Sequence, residues 1–240
     1  MGIEVKNNIR IILHQPSHPG NIGATARAMW TMNLSSLYLV SPKSFPDPAA
    51  TARASGAEHI LEQAIVVSSL DEALADCAVV IGTSAQNRHL PWPQLSPREC
   101  AQYVVEQAKV QNVAILFGPE RTGLSNEDLQ RCQHQVAIPA NPEYSSLNLA
   151  MAVQVICYEI YGALSEPSDQ PIRPLANDAQ MQSFYLHLDQ LLDAIQFRKP
   201  TSSPDLMPKL KRIFNRAQLD EDEINLLRGV FKKICKDPST

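Results

Sequence analysis

The sequence predicts an α/β fold with a mainly parallel sheet, followed by a small α-helical C-terminal extension. Three observations predict it. Short β-branched runs alternate with helix-like stretches across the first 165 residues, the pattern of βαβ units. A polar, proline-containing stretch over residues 165–180 then breaks that alternation, as a linker does. Beyond it only helical periodicity returns. The expected organisation is an α/β region over 1–164, a linker over 165–180 and a helical region over 181–240.

The expected strands are Ile9–His14, Ser36–Val40, Ala64–Val67, Ala78–Gly82, Val113–Phe117 and Gln135–Ile138. Their continuous apolar character suits strands buried on both faces. Helices are expected at Ile22–Met32, Ala49–Ser55, Leu70–Ala75, Pro97–Lys109, Asn126–Cys132 and Ser146–Leu164. Ser96-Pro97-Arg98-Glu99 offers an N-cap serine, a first-turn proline and a glutamate at the third helical position, a capping box. Ser125 to Asp128 offers the same chemistry. Ser145 and Ser146 read as N-caps of the long helix, which places Asn148 just inside it. In the C-terminal region Phe184, Leu188, Leu191, Leu192 and Ile195 share one helical face. Two further helices are expected at Leu206–Ala217 and Asp220–Cys235.

Composition narrows the function classes. The 240-residue chain is 44% hydrophobic, and no apolar run approaches the ~20 residues of a membrane helix. The N-terminus lacks a signal-peptide pattern, and Lys6 stands where a myristoylation motif wants Ser or Thr. The five cysteines are odd in number and widely spaced. Buried, reduced thiols in a cytoplasmic protein are the expectation, and no metal site. Net charge is −4. Residues 196–240 hold ten Lys/Arg and six Asp/Glu, a net of +4, which leaves −8 on the other 195 residues. An acidic body with a basic tail hints at a polyanionic partner. A basic, solvated helix accounts for the asymmetry equally well.

Ligands of open α/β sheets bind beyond the carboxyl ends of the strands, so the loops there matter most. After the first expected strand come Gly20-Asn21-Ile22-Gly23 and then Arg27. The glycines permit close helix approach, and the helix start offers free N–H groups. The string is neither a dinucleotide fingerprint nor a phosphate-binding loop; alone, it reads equally as a surface arginine. Thr83-Ser84-Ala85 follows the fourth strand, small and polar. Gly118-Pro119-Glu120-Arg121-Thr122-Gly123 follows the fifth, and its Glu-Arg pair also fits a surface ion pair. Asn141 to Asn148 follows the sixth. His14 and His18 are four apart but not on a helix, so they make a poor metal pair.

Taken together, these loops resemble the three signature motifs of the SPOUT superfamily of RNA methyltransferases, in its TrmH-like ribose 2′-O-methyltransferase branch. The motifs are Asn21-Ile22-Gly23 through Arg27, Leu116 through Leu124, and Ile138-Pro139 through Asn148-Leu149 with Ala152-Val153. Each is weak alone; the ordered triplet is specific. His18 to Gly23, Leu90-Pro91-Trp92-Pro93 and Asn141 to Gln154 are further similar to the TrmJ group. The similarity continues into the C-terminal helices at Leu226-Leu227-Arg228-Gly229.

The resemblance implies a catalytic 1–164 region with a C-terminal trefoil knot, a homodimer, and S-adenosyl-L-methionine as cofactor without a metal. It implies methylation of the ribose 2′-hydroxyl of nucleotide 32, cytidine or uridine, in the tRNA anticodon loop. Another tRNA or rRNA position, or RNA binding without catalysis, are the alternatives. The implied cofactor residues are Thr83, Ser84, Ala85, Gly118, Ile138, Ser145, Ser146 and Leu147. Arg27 matches the family's catalytic arginine, with Asn21, Glu120, Ser146 and Asn148 in support. Arginine normally keeps its proton, with a pKa above about 12. Binding the ribose oxygen and an adjacent phosphate is therefore the better physical role for Arg27 than acting as a base. Arg198, Lys199, Lys209, Lys211, Arg212 and Arg216 are the candidate tRNA contacts of the C-terminal region.

Overall fold

The computed structural model describes residues 2–84, 93–164, 174–197 and 206–236. Among the described residues seven strands form one parallel sheet: β1 (Ile9–His14), β2 (Leu37–Val40), β3 (Ile65–Val67), β4 (Cys77–Thr83), β5 (Gln94–Leu95), β6 (Asn112–Phe117) and β7 (His134–Val136). Their order across the sheet is β3-β2-β1-β6-β4-β7-β5, and every pairing is parallel. Strands buried on both faces explain the unbroken apolar runs: Ile9, Ile11, Ile12 and Leu13 are all fully buried. Burial of each such side chain contributes about 1.5–3 kcal/mol.

Leu13 pairs with Phe117, Gly82 with Leu116 and Thr83 with Val136. The carboxyl ends of β1, β6, β4 and β7 thus lie side by side. Residues about 100 positions apart in sequence become neighbours at one edge of the sheet.

Helices α2 (Pro19–Thr31), α3 (Pro48–Ala54), α6 (Pro97–Gln107) and α8 (Leu149–Ala163) cover one face. Gly23 is where α2 meets α3. A Cβ there would stand 1.9 Å from the Ala50 carbonyl oxygen, so only glycine fits without moving the helices apart. Helices α5 (Leu70–Leu74) and α7 (Asn126–Leu129) pack on the other face. The expected capping boxes at Ser96/Glu99 and Ser125/Asp128 form.

Three short elements differ from the sequence expectation: α1 (Gly2–Asn7), α4 (Glu58–Glu62) and the two-residue β5. Each is too short to carry a periodicity. The start of α8 also differs. The N-cap is Asn148, whose Oδ1 accepts hydrogen bonds from the backbone N–H groups of Ala150 and Met151. Ser145 and Ser146 lie in the approach and cap nothing. Cys77, Cys100, Cys132 and Cys157 are buried and free; Cys235 is free but exposed, against the expectation of a buried thiol. Among the described residues no helix is long and apolar enough to cross a membrane.

The C-terminal helices are α9 (Asp178–Ala194), α10 (Leu206–Ala217) and α11 (Glu221–Lys236). They share their own apolar cluster around Phe184, Leu188, Leu192, Ile224 and Phe231. Helix α9 begins inside the expected linker, and Ile195 lies just past its end, 45% exposed rather than on the buried face.

Polar side chains bridge the seam between these helices and the sheet, beside apolar ones such as Met181 and Phe214. Asn215, 3% exposed, donates from Nδ2 to the carbonyls of Gln130 (3.0 Å) and Cys132 (3.3 Å), and accepts from the Tyr185 hydroxyl. Arg131 pairs with Asp178 on α9 and with Asp71 (2.6 Å). Gln218 donates to the Tyr103 hydroxyl, and the Leu175 N–H donates to Gln111.

Candidate active site

Three of the loops at the carboxyl edge are joined through Glu120 and Asn21. Its Oε2 accepts from the Ser17 N–H (2.9 Å) and hydroxyl (2.8 Å), and its Oε1 from the His18 N–H (3.1 Å) and from Asn21 Nδ2 (3.0 Å). Asn148 Nδ2 then donates to Asn21 Oδ1 (2.9 Å). One chain of bonds therefore joins the loop after β6, the start of α2 and the start of α8.

Burial alone would raise the Glu120 pKa, but the bonds from Asn21 and Ser17 outweigh it and hold the carboxyl at about 2, below its ordinary 4.5. Glu120 is thus a fixed anion near neutral pH. A carboxylate so acidic is a poor proton acceptor for a hydroxyl. Its four bonds tie it to the entry of α2, the helix that carries Arg27.

Two concavities flank this chain of bonds. The first is a cavity of about 190 Å³ lined by Thr83, Ser84, Gly118, Glu120, Ile138, Ser145, Ser146 and Leu147, with Phe117, Leu124, Val136, Leu149 and Ala152 as apolar walls. Seven of the eight expected cofactor residues are brought together there; Ala85 lies outside the described residues. Thr83 donates from its hydroxyl to the Leu116 carbonyl (3.1 Å), and the Ser84 N–H to that of Val136 (3.1 Å). These bonds tie the β4 end to its neighbours. A Cβ on Gly118 would come within 2.3 Å of the Leu124 nitrogen. The loop folds back tightly, with Gly123 at φ +63°, a conformation suited to glycine.

The second is an open groove lined by His18, Gly20, Asn21, Arg27, Arg53, Asn148 and Gln154. Arg27 is exposed, and its guanidinium has no hydrogen bond or ion pair among the described residues. Of the five expected catalytic residues, Asn21, Arg27 and Asn148 line this groove, and Glu120 and Ser146 line the cavity. The Asn21–Glu120 bond bridges the two.

Sequence reasoning missed Ser17 and Arg53. Ser17 gave no signal apart from its place in the loop; its partner is 103 residues away. Arg53 sits on a short helix with no motif around it. Among the C-terminal candidates Lys209 and Arg216 are exposed and Arg212 is half-buried. Lys211 is drawn inward, its Nζ 5.5 Å from the Tyr185 ring centroid. Burial and then the neighbouring Arg131 lower its pKa. Arg198 and Lys199 lie outside the described residues. No cluster of three or more His, Cys, Asp or Glu suited to a metal occurs among the described residues.

The geometry agrees with what the chain is similar to. Residues 8–158 match the model of the SpoU rRNA methylase family, and residues 179–239 match that of the TrmJ tRNA methyltransferase C-terminal domain. The chain belongs to the TrmJ group of SpoU methylases. A tRNA (cytidine/uridine-2′-O-)-methyltransferase TrmJ from Yersinia enterocolitica is 48% identical, covering 96% of this chain and 92% of that protein. The crystal structure of TrmJ from Z. mobilis ZM4 superposes with a TM-score of 0.80 at 37% identity, covering 94% of this chain and 98% of that one. A structure concerned with 2-OH methylation of C/U34 on tRNA is 29% identical with a TM-score of 0.52, covering 65% of this chain and 96% of that one.

Proposed function

We propose that this chain methylates the ribose 2′-hydroxyl of nucleotide 32, a cytidine or uridine, in the tRNA anticodon loop, using S-adenosyl-L-methionine. The observation that carries the reading is the Glu120–Asn21–Asn148 chain of bonds. It ties down the start of α2, which carries an arginine unpaired among the described residues, beside a cavity lined by residues of three strand ends.

The cavity suits a nucleoside-bearing cofactor. Its apolar walls offer a surface for a flat base, and the loop backbone and serines around it offer polar contacts. Thr83, Ser84, Gly118, Ile138 and Leu147 would hold the cofactor, which supplies an electrophilic methyl group on a sulfonium when bound. Arg27 would bind the ribose oxygen and an adjacent phosphate, and stabilise negative charge as the hydroxyl loses its proton. Glu120, satisfied by uncharged donors, keeps α2 in place without drawing Arg27 into an ion pair. Holding the reactants in register can supply up to roughly 7–11 kcal/mol in ideal cases. A 2′-hydroxyl as target makes RNA the substrate, since DNA lacks the group.

The same reading carries the trefoil knot, a catalytic 1–164 region with helical 181–240 assisting tRNA binding, and action in the cytoplasm. It also carries a homodimer. Trp30 on α2 and Met151, Tyr158 and Tyr161 on α8 are exposed on helices that pack together, an apolar face suited to a second copy.

The test is methyl transfer from labelled S-adenosylmethionine to an unmodified tRNA transcript, with the product nucleotide mapped by mass spectrometry. A 2′-O-methyl group at nucleotide 32 is expected. The likeness to the C/U34 structure favours one other outcome, label at nucleotide 34, which would keep the chemistry and discard the position. No label on any tRNA would overturn the reading.

A further inference from the structure

Arg53 is the second arginine of the open groove, and nothing above gives it a role. It is exposed, in the last turn of α3. That position alone would suit a surface arginine facing a helix C-terminus. Its surroundings point further. Its stem runs over Gly20: a Cβ at Gly20 would lie 3.6 Å from Arg53 Cγ. The side chain therefore crosses the first turn of α2 toward the groove that also holds Arg27.

The groove's charge is unusual for this chain. Among its described lining residues Arg27 and Arg53 are the only Lys or Arg, and there is no Asp or Glu. Yet residues 1–195 carry a net −8. Between the arginines the floor is small, with Gly20, Ala24 and Ala28 along one face of α2. Neither guanidinium has a hydrogen bond or ion pair among the described residues. Two guanidiniums over a small-residue floor in an acidic body fit a chain of phosphates better than a lone anion.

We propose that Arg53 is a second backbone contact for the RNA, its guanidinium taking a phosphate of the strand whose target ribose lies at Arg27. This rests on the tRNA reading above. Arg53 is a positioning residue: it sets where the strand lies and leaves the reacting atoms to Arg27.

The test compares wild type, Arg53→Ala and Arg53→Lys for binding of an unmodified tRNA transcript over a salt series, and for methyl-transfer kinetics. Arg53→Ala is expected to weaken binding about tenfold and to lower the slope of log affinity against log salt by about 1. KM for tRNA should rise by a similar factor with kcat within about twofold. Arg53→Lys should recover most of the affinity, because lysine also serves a phosphate as a point charge. Unchanged affinity and salt slope in a folded Arg53→Ala would overturn the proposal, as would a loss confined to kcat. Binding is read without turnover, so the two readings separate. A wild type that binds tRNA but never methylates it would sink only the catalytic reading, and one that does neither would sink both.

Discussion

Glu120 and Asp178 are both carboxylates withdrawn from water and bonded to neighbouring elements, and they are held in different ways. Glu120, half-buried, accepts four hydrogen bonds, all from uncharged donors on Ser17, His18 and Asn21. Asp178, 3% exposed, leans on the guanidinium of Arg131, which also serves Asp71. The neutral donors hold the Glu120 pKa at about 2, whereas burial raises that of Asp178 against the pull of Arg131. At the seam a cation is consumed to hold two parts of the chain together. At the site the anion is satisfied without one, and Arg27 stays unpaired among the described residues, as the proposed RNA contact requires. Uncharged donors suit a place that must keep its cation for a ligand.

The difference can be broken first at the site. Glu120→Gln keeps the size but removes the charge and turns an amide NH2 against two of the four donors, whichever way it is flipped. Loosening the entry to α2 should cost about 10²-fold in methyl transfer, the scale of a 1 Å misplacement. The pH dependence sharpens the point. The folded pKa of Glu120 is about 2 against an ordinary 4.5, so its stabilising contribution is present above pH 4.5 and is lost as pH falls from 4.5 toward 2. The gap in Tm between wild type and Glu120→Gln should be level at neutral pH and close across that window. A gap independent of pH would mean that the network does not hold the carboxylate ionised.

At the seam the larger effect falls on stability. Asn215→Ala leaves the Gln130 and Cys132 carbonyls and the Tyr185 hydroxyl without this partner in a buried place. A loss of about 1–3 kcal/mol in denaturant unfolding is expected, with intrinsic methyl transfer changed far less than by Glu120→Gln. Equal losses of activity in the two variants would show that seam and site are not separate.

The two regions were unequally legible in the sequence. The sheet was readable because buried parallel strands are unbroken apolar runs, and the three motif loops because their order and spacing are specific. Ser96 and Ser125 announced their capping boxes locally. Asn148 did not: a serine pair preceding it looked like the cap, and the bond to Asn21 that orients it spans 127 residues. The seam left no trace in the pattern. Asn215, Arg131 and Gln218 read as ordinary polar residues of helices and turns, and their partners at Gln130 and Cys132, at Asp71 and Asp178, and at Tyr103 are brought to them only by the fold. Lys211 looked like its basic neighbours until the fold laid it over Tyr185.

The most direct measurement is single-turnover methyl transfer to saturating tRNA by wild type, Arg27→Ala and Arg27→Lys. The account predicts that both variants lose about 10²–10³-fold in rate, since lysine lacks the planar fork that can serve ribose oxygen and phosphate together. An Arg27→Lys enzyme with a near wild-type rate would contradict it.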